Sequence, residues 1–205
     1  MIYRIKAIQN ITEKELKTAL EALPEWRRAQ TMRFKHFDKQ KECAFSYLLL
    51  CEMLEERGIT AQPTFEYAEN GKPSLKELPH LHFNLSHCDG AVACAINEHP
   101  VGIDIERTGR YSERLANYTM NADELAEIEA AEDHDLAFTR LWTMKEAAMK
   151  LSGEGISTNV REVLPHSYNI IIYNTTCYPE DGFVVTVAEW RKDAERRCRK
   201  KPCQS

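Results

Sequence analysis

The order of apolar and polar residues along the chain follows two different periods. Alternation over residues 2–8 predicts a strand, whereas apolar residues that recur every three or four positions in residues 39–57 predict a helix. This apolar stripe consists of Ala44, Tyr47, Leu48, Cys51 and Leu54. Gly58 follows as a natural C-terminal cap. We therefore expect this helix to lie at the centre of the first half.

The middle of the chain is rich in hairpin signals. Asn70-Gly71 predicts a tight turn between two short strands. Asp89-Gly90 is expected to turn a strand over residues 80–86 into a strand over 91–96. A further strand is predicted at residues 101–106, so this region is expected to form antiparallel sheet.

Helical periodicity returns at residues 121–131 and 135–151, and two closing strands are predicted at 169–173 and 182–190. Helices and strands are mixed, with hairpins rather than repeated βαβ units, which favours an α+β fold. Each side of the seam near Pro100 contains both kinds of element. We therefore predict two subdomains packed side by side.

The predicted boundaries are residues 1–100 for the N-terminal subdomain and residues 101–190 for the C-terminal one. Residues 191–205 hold seven Lys or Arg residues and no large apolar residue. This composition predicts a basic, flexible tail. A basic recognition arm is the alternative interpretation.

Composition excludes several classes of protein. The chain has 205 residues, and its 27 basic and 32 acidic residues give a net charge of −5, which argues against a general nucleic-acid binder. No apolar run approaches the length of a membrane span, and the N-terminus does not resemble a secretory signal. Seven cysteines without a CxxC pair favour reduced thiols. We expect a cytoplasmic protein that binds neither membranes nor nucleic acid.

The strand predicted at residues 101–106 carries two acidic residues. Asp104 and Glu106 are two positions apart and share one face, while Ile103 and Ile105 share the other. Two carboxylates on one face repel each other unless a cation lies between them. A divalent cation with oxygen ligands is one explanation. An edge strand with two solvated acids is the other.

The helix predicted at residues 135–151 carries a second group of polar residues. Trp142, Glu146 and Lys150 follow at intervals of four, so they lie along one flank of the helix. Glu146 and Lys150 are consistent with a surface ion pair. Alternatively, Glu146 binds a metal ion and Lys150 binds an anion.

Ser86 and His87 end the strand predicted at residues 80–86. Adjacent residues of a strand face opposite sides, so these two cannot easily form the hydrogen bond of a nucleophile and its base. A hydroxyl and an imidazole that each bind a phosphate, or a purely structural histidine, are the remaining interpretations.

A local excess of basic residues lies between residues 26 and 41. Six Lys or Arg residues stand there against one acid, Asp38: Arg27, Arg28, Arg33, Lys35, Lys39 and Lys41. In a chain of negative net charge this excess indicates an anionic ligand. A solvated basic helix face is the alternative.

Five segments together resemble one family. They are the stretch from Arg33-Phe34 to Ala44, Asn70-Gly71-Lys72-Pro73, FNLSH (83–87), GIDIE (102–106) and WTMKEAAMKLSGEGIS (142–157). Their order and spacing resemble the 4′-phosphopantetheinyl transferases, of the larger single-chain, surfactin-synthetase-activating type. The resemblance covers residues 27 to about 156.

The resemblance implies a monomer with two similar α+β subdomains related by a pseudo-twofold axis. It also implies transfer of the 4′-phosphopantetheine arm of coenzyme A, the co-substrate, to a serine of an apo acyl carrier protein or peptidyl carrier domain. The other product is adenosine 3′,5′-bisphosphate. Such holo-carrier-protein synthases serve fatty-acid, polyketide or nonribosomal peptide biosynthesis.

Site residues follow from the same resemblance. Asp104, Glu106 and Glu146 would hold Mg²⁺, or Mn²⁺, against the pyrophosphate of coenzyme A. Glu146 resembles the carboxylate that takes the serine proton, and Lys150 would bind the phosphates and assist the leaving group, so the predicted catalytic residues are Asp104, Glu146 and Lys150. The predicted coenzyme A contacts are Arg27, Arg33, Lys72, Ser86, His87 and Lys150.

The carrier protein is expected to dock near residues 107–120, where basic and apolar side chains alternate: Arg107, Arg110, Tyr111, Arg114, Leu115, Tyr118 and Met120. Two alternative functions remain. One is a non-catalytic relative that binds coenzyme A or a carrier protein. The other is an unrelated metal-dependent phosphohydrolase.

Overall fold

The structure, a computed structural model, describes residues 1–69, 71–153, 159–167, 171–178 and 180–192. The first half contains β1 (Ile2–Ala7), α1 (Glu13–Ala22), α2 (Glu25–Thr31), α3 (Phe37–Glu55), β2 (Phe65–Tyr67), β3 (Pro73–Leu75), β4 (His82–Cys88) and β5 (Ala91–Asn97). The second half contains β6 (Val101–Arg107), α4 (Glu113–Thr119), α5 (Ala122–Ala130), α6 (His134–Ser152), α7 (Val163–Ser167), β7 (Ile171–Tyr178) and β8 (Phe183–Trp190).

Both halves use the same strand order. Within the described residues, one three-stranded antiparallel sheet has the order β1-β5-β4 and the other has the order β6-β8-β7. In each sheet the first strand of its half pairs with the last, and a 19-residue helix, α3 or α6, lies between them in sequence. The mixed, hairpin-based architecture that the sequence predicts is confirmed.

Strand β5 shows how the two halves pack together. Its large side chains at Val92, Cys94 and Ile96 belong to the core that includes α3. Its small side chains at 91, 93 and 95 are alanines and pack in a second core with residues of β6 and β8, such as Ile103 and Val185. Because alternate residues of a strand face opposite sides, this strand joins both cores. Small residues on the shared face let the sheets lie close.

Side chains of β4 also tie the two sheets together. The backbone N–H of Ile103 donates to Oδ1 of Asn84 at 2.8 Å, and that of Ile105 donates to Oγ of Ser86 at 3.3 Å. Two polar side chains thus satisfy backbone donors of β6 that are buried between the sheets. The bonds fix Ser86 next to the middle of β6.

A buried ion pair holds the second half together. Lys145 of α6 is fully buried, and its Nζ lies 2.8 Å from Oε2 of Glu124 on α5. The same ammonium donates to the carbonyl of Val160 at 2.8 Å. Burial lowers the pKa of Lys145, while Glu124 opposes that shift. The pair therefore connects α5, α6 and the segment that precedes α7.

We expect Lys145→Met to lower the free energy of unfolding by about 3 kcal/mol, because Glu124 would keep a buried charge without its partner. Urea denaturation measures the change. The double variant Lys145→Met/Glu124→Leu should recover most of the loss, and Lys14→Met on the exposed face of α1 should change little. A single variant as stable as the Lys14 control would contradict this account.

Most element predictions agree with the structure within a few residues. The helix predicted at 135–151 is α6, His134–Ser152, and the strand predicted at 182–190 is β8, Phe183–Trp190. Helix α4 was not predicted; Ser112 caps it by accepting from the N–H of Leu115. Asn70, residues 154–157 of the long motif, part of the strand predicted at 169–173 and most of the basic tail lie outside the described residues. Within the described ranges, no helix is long and apolar enough to cross a membrane.

Candidate active site

Three predicted site residues meet where the two halves join. Nζ of Lys150 lies 2.6 Å from Oδ1 of Asp104 and 2.9 Å from Oγ of Ser86. The hydroxyl of Ser86 in turn donates to Oδ1 of Asp104 at 2.8 Å. These side chains come from α6, β6 and β4, so the structure brings together residues that lie up to 64 positions apart in the sequence.

Gly102 explains how α6 comes so close to β6. A Cβ atom at this position would lie 2.1 Å from the carbonyl oxygen of Ala147 and 2.7 Å from the backbone nitrogen of Leu151. Both atoms belong to the backbone of α6, so no side-chain rotation could relieve the clash. Only glycine permits this approach, which puts Lys150 beside Asp104.

The three predicted metal ligands lie close enough together for the charge of one to shift the pKa of another. Burial raises the pKa of Glu106 and of Glu146, and the negative charge of Asp104 raises both further. Lys150 opposes the shift at Glu146, and Arg110 opposes it at Glu106. Three carboxylates that destabilise one another's charge indicate a place where a cation is favoured.

Two of the three carboxylates are held by side-chain cations in this structure. Arg110 donates to both oxygens of Glu106 at 2.8 and 2.9 Å, and Lys150 holds Asp104. Among the residues that the structure describes, no three His, Cys, Asp or Glu side chains stand close enough together to bind a metal ion as they are. Binding an ion here would require the carboxylates to release these cations.

The donor set nevertheless fits a hard divalent ion. Asp104 is only 4% exposed, and its Oδ2 atom is buried without a hydrogen-bond partner in the described part of the chain. Its neighbours Glu106 and Glu146 supply further carboxylate oxygens, which Mg²⁺ and Mn²⁺ accept. This buried carboxylate oxygen lacks a partner and lies beside two other acids. A cation that binds oxygen atoms would satisfy it.

His87 follows Ser86 on β4, and its side chain lies on the opposite face of the strand. Ser86 is buried and His87 is exposed, as the alternation of a strand predicts. Nδ1 of His87 lies 3.2 Å from Oε2 of Glu42 on α3. Sequence analysis missed Glu42, because no local pattern relates a helix residue to a strand 45 positions later.

Lys72 binds the C-terminal end of α6. Its Nζ donates to the carbonyls of Lys150 and Leu151 at 2.6 and 3.2 Å. A cation at a helix C-terminus satisfies carbonyls that have no partner within the helix. Burial lowers the pKa of this lysine. In this conformation its ammonium faces α6, so its contact with coenzyme A stays a prediction.

The two arginines predicted to bind the nucleotide differ in accessibility. Arg27 is 8% exposed, and it donates to Oε1 of Gln30 at 2.7 Å and to the carbonyl of Cys43 at 2.8 Å. Arg33 is exposed at a cavity of about 410 Å³. Aromatic side chains of Trp26, Phe65 and Tyr67 line the same cavity. The structure therefore makes Arg33 available to a ligand and places Arg27 in the interior.

The expected docking surface is only partly available. Met120 is 1% exposed and belongs to the core beneath α4, so its prediction as a surface residue is wrong. Tyr118 and Arg114 are exposed, whereas Arg110 is engaged with Glu106. Trp142 stacks against Phe138 with ring planes 7° apart, so its ring packs within the second half.

Comparison with known proteins gives matches to 4′-phosphopantetheinyl transferases. A family model described as the 4′-phosphopantetheinyl transferase superfamily matches residues 100–184. The 4′-phosphopantetheinyl transferase psf-1 of Bacillus pumilus is 33% identical over 158 residues, which cover 73% of this chain and 68% of that protein. The transferase Sfp of Bacillus subtilis strain 168 is 28% identical over 160 residues, 76% of this chain and 71% of its own. The transferase AcpT of Salmonella typhimurium is 39% identical over 106 residues, 49% and 55% of the two chains.

Proposed function

This chain belongs to the 4′-phosphopantetheinyl transferase superfamily, and we propose that it transfers the phosphopantetheine arm of coenzyme A to a serine of an apo carrier protein. The other product is adenosine 3′,5′-bisphosphate. The observation that carries this proposal is the meeting of Asp104, Ser86 and Lys150 at the junction of the halves, with Glu106 and Glu146 beside them.

The reaction is a phosphoryl transfer in which a serine hydroxyl attacks the β-phosphate of coenzyme A. Such a reaction depends on charge neutralisation and in-line positioning more than on covalent help from the protein. We propose that Asp104, Glu106 and Glu146 hold Mg²⁺, with Mn²⁺ as a substitute. When bound, the ion would neutralise charge on the pyrophosphate and on the departing oxygen.

Glu146 is the candidate that accepts the serine proton. Its pKa is raised chiefly by burial, and a carboxylate with a raised pKa is the stronger base at neutral pH. Within the described residues, its carboxylate makes no hydrogen bond or ion pair, so it is open to an incoming hydroxyl or water.

Lys150 is the candidate cation for the phosphates. Its ammonium already lies within 2.6 Å of an oxygen of Asp104 and within 2.9 Å of the Ser86 hydroxyl, so its position is fixed before a ligand arrives. We propose that it binds phosphate oxygens and stabilises the leaving group. Ser86 would hold a phosphate oxygen nearby.

Coenzyme A would extend from this junction over the first half. We propose that Arg33 and His87 bind its nucleotide end, because both side chains are exposed there. Contacts from Lys72 and Arg27, which the family resemblance implies, would require their present hydrogen bonds to be rearranged.

We propose that one chain suffices for activity and that a pseudo-twofold axis relates its halves. The shared strand order supports the symmetry. Residues from both halves of one chain meet at their junction, so the proposed site needs no residue from a second copy. The carrier protein, which presents an acidic helix in this family, would dock beside α4, where Arg114 and Tyr118 are exposed.

A mass-shift assay tests the function. The protein is incubated with coenzyme A, Mg²⁺ and apo carrier proteins of the fatty-acid, polyketide and peptide-synthetase kinds. We expect one carrier or more to gain the mass of a single phosphopantetheine arm, with release of adenosine 3′,5′-bisphosphate. Binding of coenzyme A without any mass gain would favour the non-catalytic alternative. Release of nucleotide without a carrier protein would instead indicate a phosphohydrolase.

A further inference from the structure

Glu42 is an acidic residue that directly follows the basic stretch, and the structure buries it. It is 4% exposed, although it lies only one turn after Lys39 on α3. A carboxylate removed from water is costly unless positive or hydrogen-bonding groups surround it. The groups that surround Glu42 therefore indicate its purpose.

Two donors from different elements satisfy this carboxylate. Nζ of Lys39 lies 2.6 Å from Oε2 and 2.9 Å from Oε1 of Glu42. Nδ1 of His87, on β4, lies 3.2 Å from Oε2. The side chains of Lys39 and His87 are each about half-exposed, whereas Glu42 lies beneath them. We refer to these three residues as the Lys39–Glu42–His87 cluster.

We propose that Glu42 is a positioning residue that holds His87 and Lys39 together as one binding site for a phosphate monoester, the 3′-phosphate of coenzyme A. The proposal rests on the proposed function, which supplies the ligand. A ring held through Nδ1 has Nε2 on its other side, where a half-exposed side chain can meet an anion. The ammonium of Lys39 has three N–H donors, and two of them bind Glu42. One donor is therefore left for an anion.

The groups around His87 act on its pKa in both directions, and the net effect is to lower it. Burial lowers the pKa of His87, and Lys39 and Lys150 act in the same direction. Glu42 and, more weakly, Asp104 oppose the shift. Only a doubly protonated imidazole donates through both nitrogens, one to Glu42 and the other to a phosphate. Glu42 therefore favours the form of the ring that binds an anion.

The position of the carboxylate avoids repulsion of the ligand. A carboxylate in direct contact with a phosphate would weaken binding, because both are negative. Here the imidazole and the ammonium occupy the oxygens of Glu42, so these two donors stand between the carboxylate and an anion on the exposed side.

Calorimetric binding of two ligands tests the proposal. Coenzyme A and 3′-dephospho-coenzyme A are compared on the full chain and on Glu42→Gln, which keeps the shape of the side chain but removes its charge. We expect Glu42→Gln to weaken coenzyme A binding about tenfold, the difference between a charge-assisted and a neutral hydrogen bond, and to leave the dephosphorylated ligand nearly unaffected. Glu55→Gln, exposed on the same helix, is the matched control.

A double-mutant cycle with His87→Ala separates positioning from a general structural effect. In the His87→Ala background, Glu42→Gln should add little further loss of coenzyme A affinity. Equal losses for both ligands, or fully additive losses in the double variant, would overturn the proposal. If Glu42→Gln does not fold, Glu42→Asp keeps the charge with a shorter reach and should show a smaller loss confined to coenzyme A.

The ¹⁵N resonances of His87 in the ligand-free protein give a readout that does not depend on catalysis. We expect Nδ1 to carry the proton in the parent chain and the two tautomers to mix in Glu42→Gln. Unchanged resonances would contradict the positioning role. A parent chain that binds neither ligand would refute the proposed function, and the resonances would still decide whether Glu42 orients the ring.

Discussion

Asp104→Asn should reduce the rate of phosphopantetheine transfer by roughly a thousandfold, an effect of the size seen when one preorganised charge is removed from an active site. Asp104 contributes three things at once. It holds Lys150 at 2.6 Å, it accepts the Ser86 hydroxyl, and its Oδ2 is the buried oxygen left open for a cation. An amide has the same shape and can still accept from Ser86, but it has no charge, so the ion pair with Lys150 and the anionic oxygen for a cation are both lost.

The fold should survive this substitution. Asp104 raises the pKa of both Glu106 and Glu146, which means that its charge destabilises theirs. Loss of that repulsion offsets part of the lost contact with Lys150, which keeps access to solvent. We therefore expect only a small change in the unfolding midpoint in urea.

Two measurements check the prediction for Asp104. The mass-shift assay gives the rate, and titration with Mn²⁺ followed by its magnetic resonance signal gives metal affinity without catalysis. Asp123→Asn, on the exposed side of α5, is the control and should match the parent chain in both. Transfer within tenfold of the parent rate would show that Asp104 does not hold the ion or Lys150 during the reaction.

The periodicities of strands and helices account for much of the candidate site that could be predicted from the sequence. The shared face of Asp104 and Glu106 follows from alternation alone, and Glu146 and Lys150 follow from the helical repeat. That these two elements meet depends on Gly102, whose significance appears only when the packing of α6 is known. The family resemblance supplied this pairing, because local patterns contain no information about which surfaces pack together.

Long-range side-chain partners explain what sequence analysis missed. Glu42 lies directly after a segment interpreted as basic, and its partner His87 is 45 positions away. Lys72 was assigned to the nucleotide, yet it binds carbonyls 78 and 79 positions later. Arg27 looked like one basic residue among six, and its burial depends on Cys43 and Gln30. Each case is decided by tertiary contacts, which neither charge counts nor periodicity record.

Gly102→Ala should destabilise the protein and impair catalysis together, although it adds only one methyl group. The new Cβ would lie 2.1 Å from the carbonyl oxygen of Ala147, well inside contact distance, and both clashing atoms of α6 are backbone. The helix must therefore move away from β6 as a unit. We expect a loss of about 3 kcal/mol in the free energy of unfolding, at the upper end for overpacking.

The catalytic loss follows from what the displaced helix carries. Glu146 and Lys150 move with α6, whereas Asp104 stays on β6, so the 2.6 Å contact between Lys150 and Asp104 opens. A displacement of about 1 Å in a positioned group costs on the order of a hundredfold in rate, so kcat should fall by that factor even at temperatures where the variant remains folded. Substrate affinity should change less, because Arg33 and His87 lie on other elements.

Gly58→Ala separates this steric effect from the general cost of replacing a glycine. Gly58 has a φ of +79° but no atom within 4 Å of an added Cβ. Its substitution should cost about 1 kcal/mol of backbone strain and leave kcat unchanged. If Gly102→Ala behaves like Gly58→Ala, with a small loss of stability and full activity, close contact between α6 and β6 is not what aligns Lys150 with Asp104.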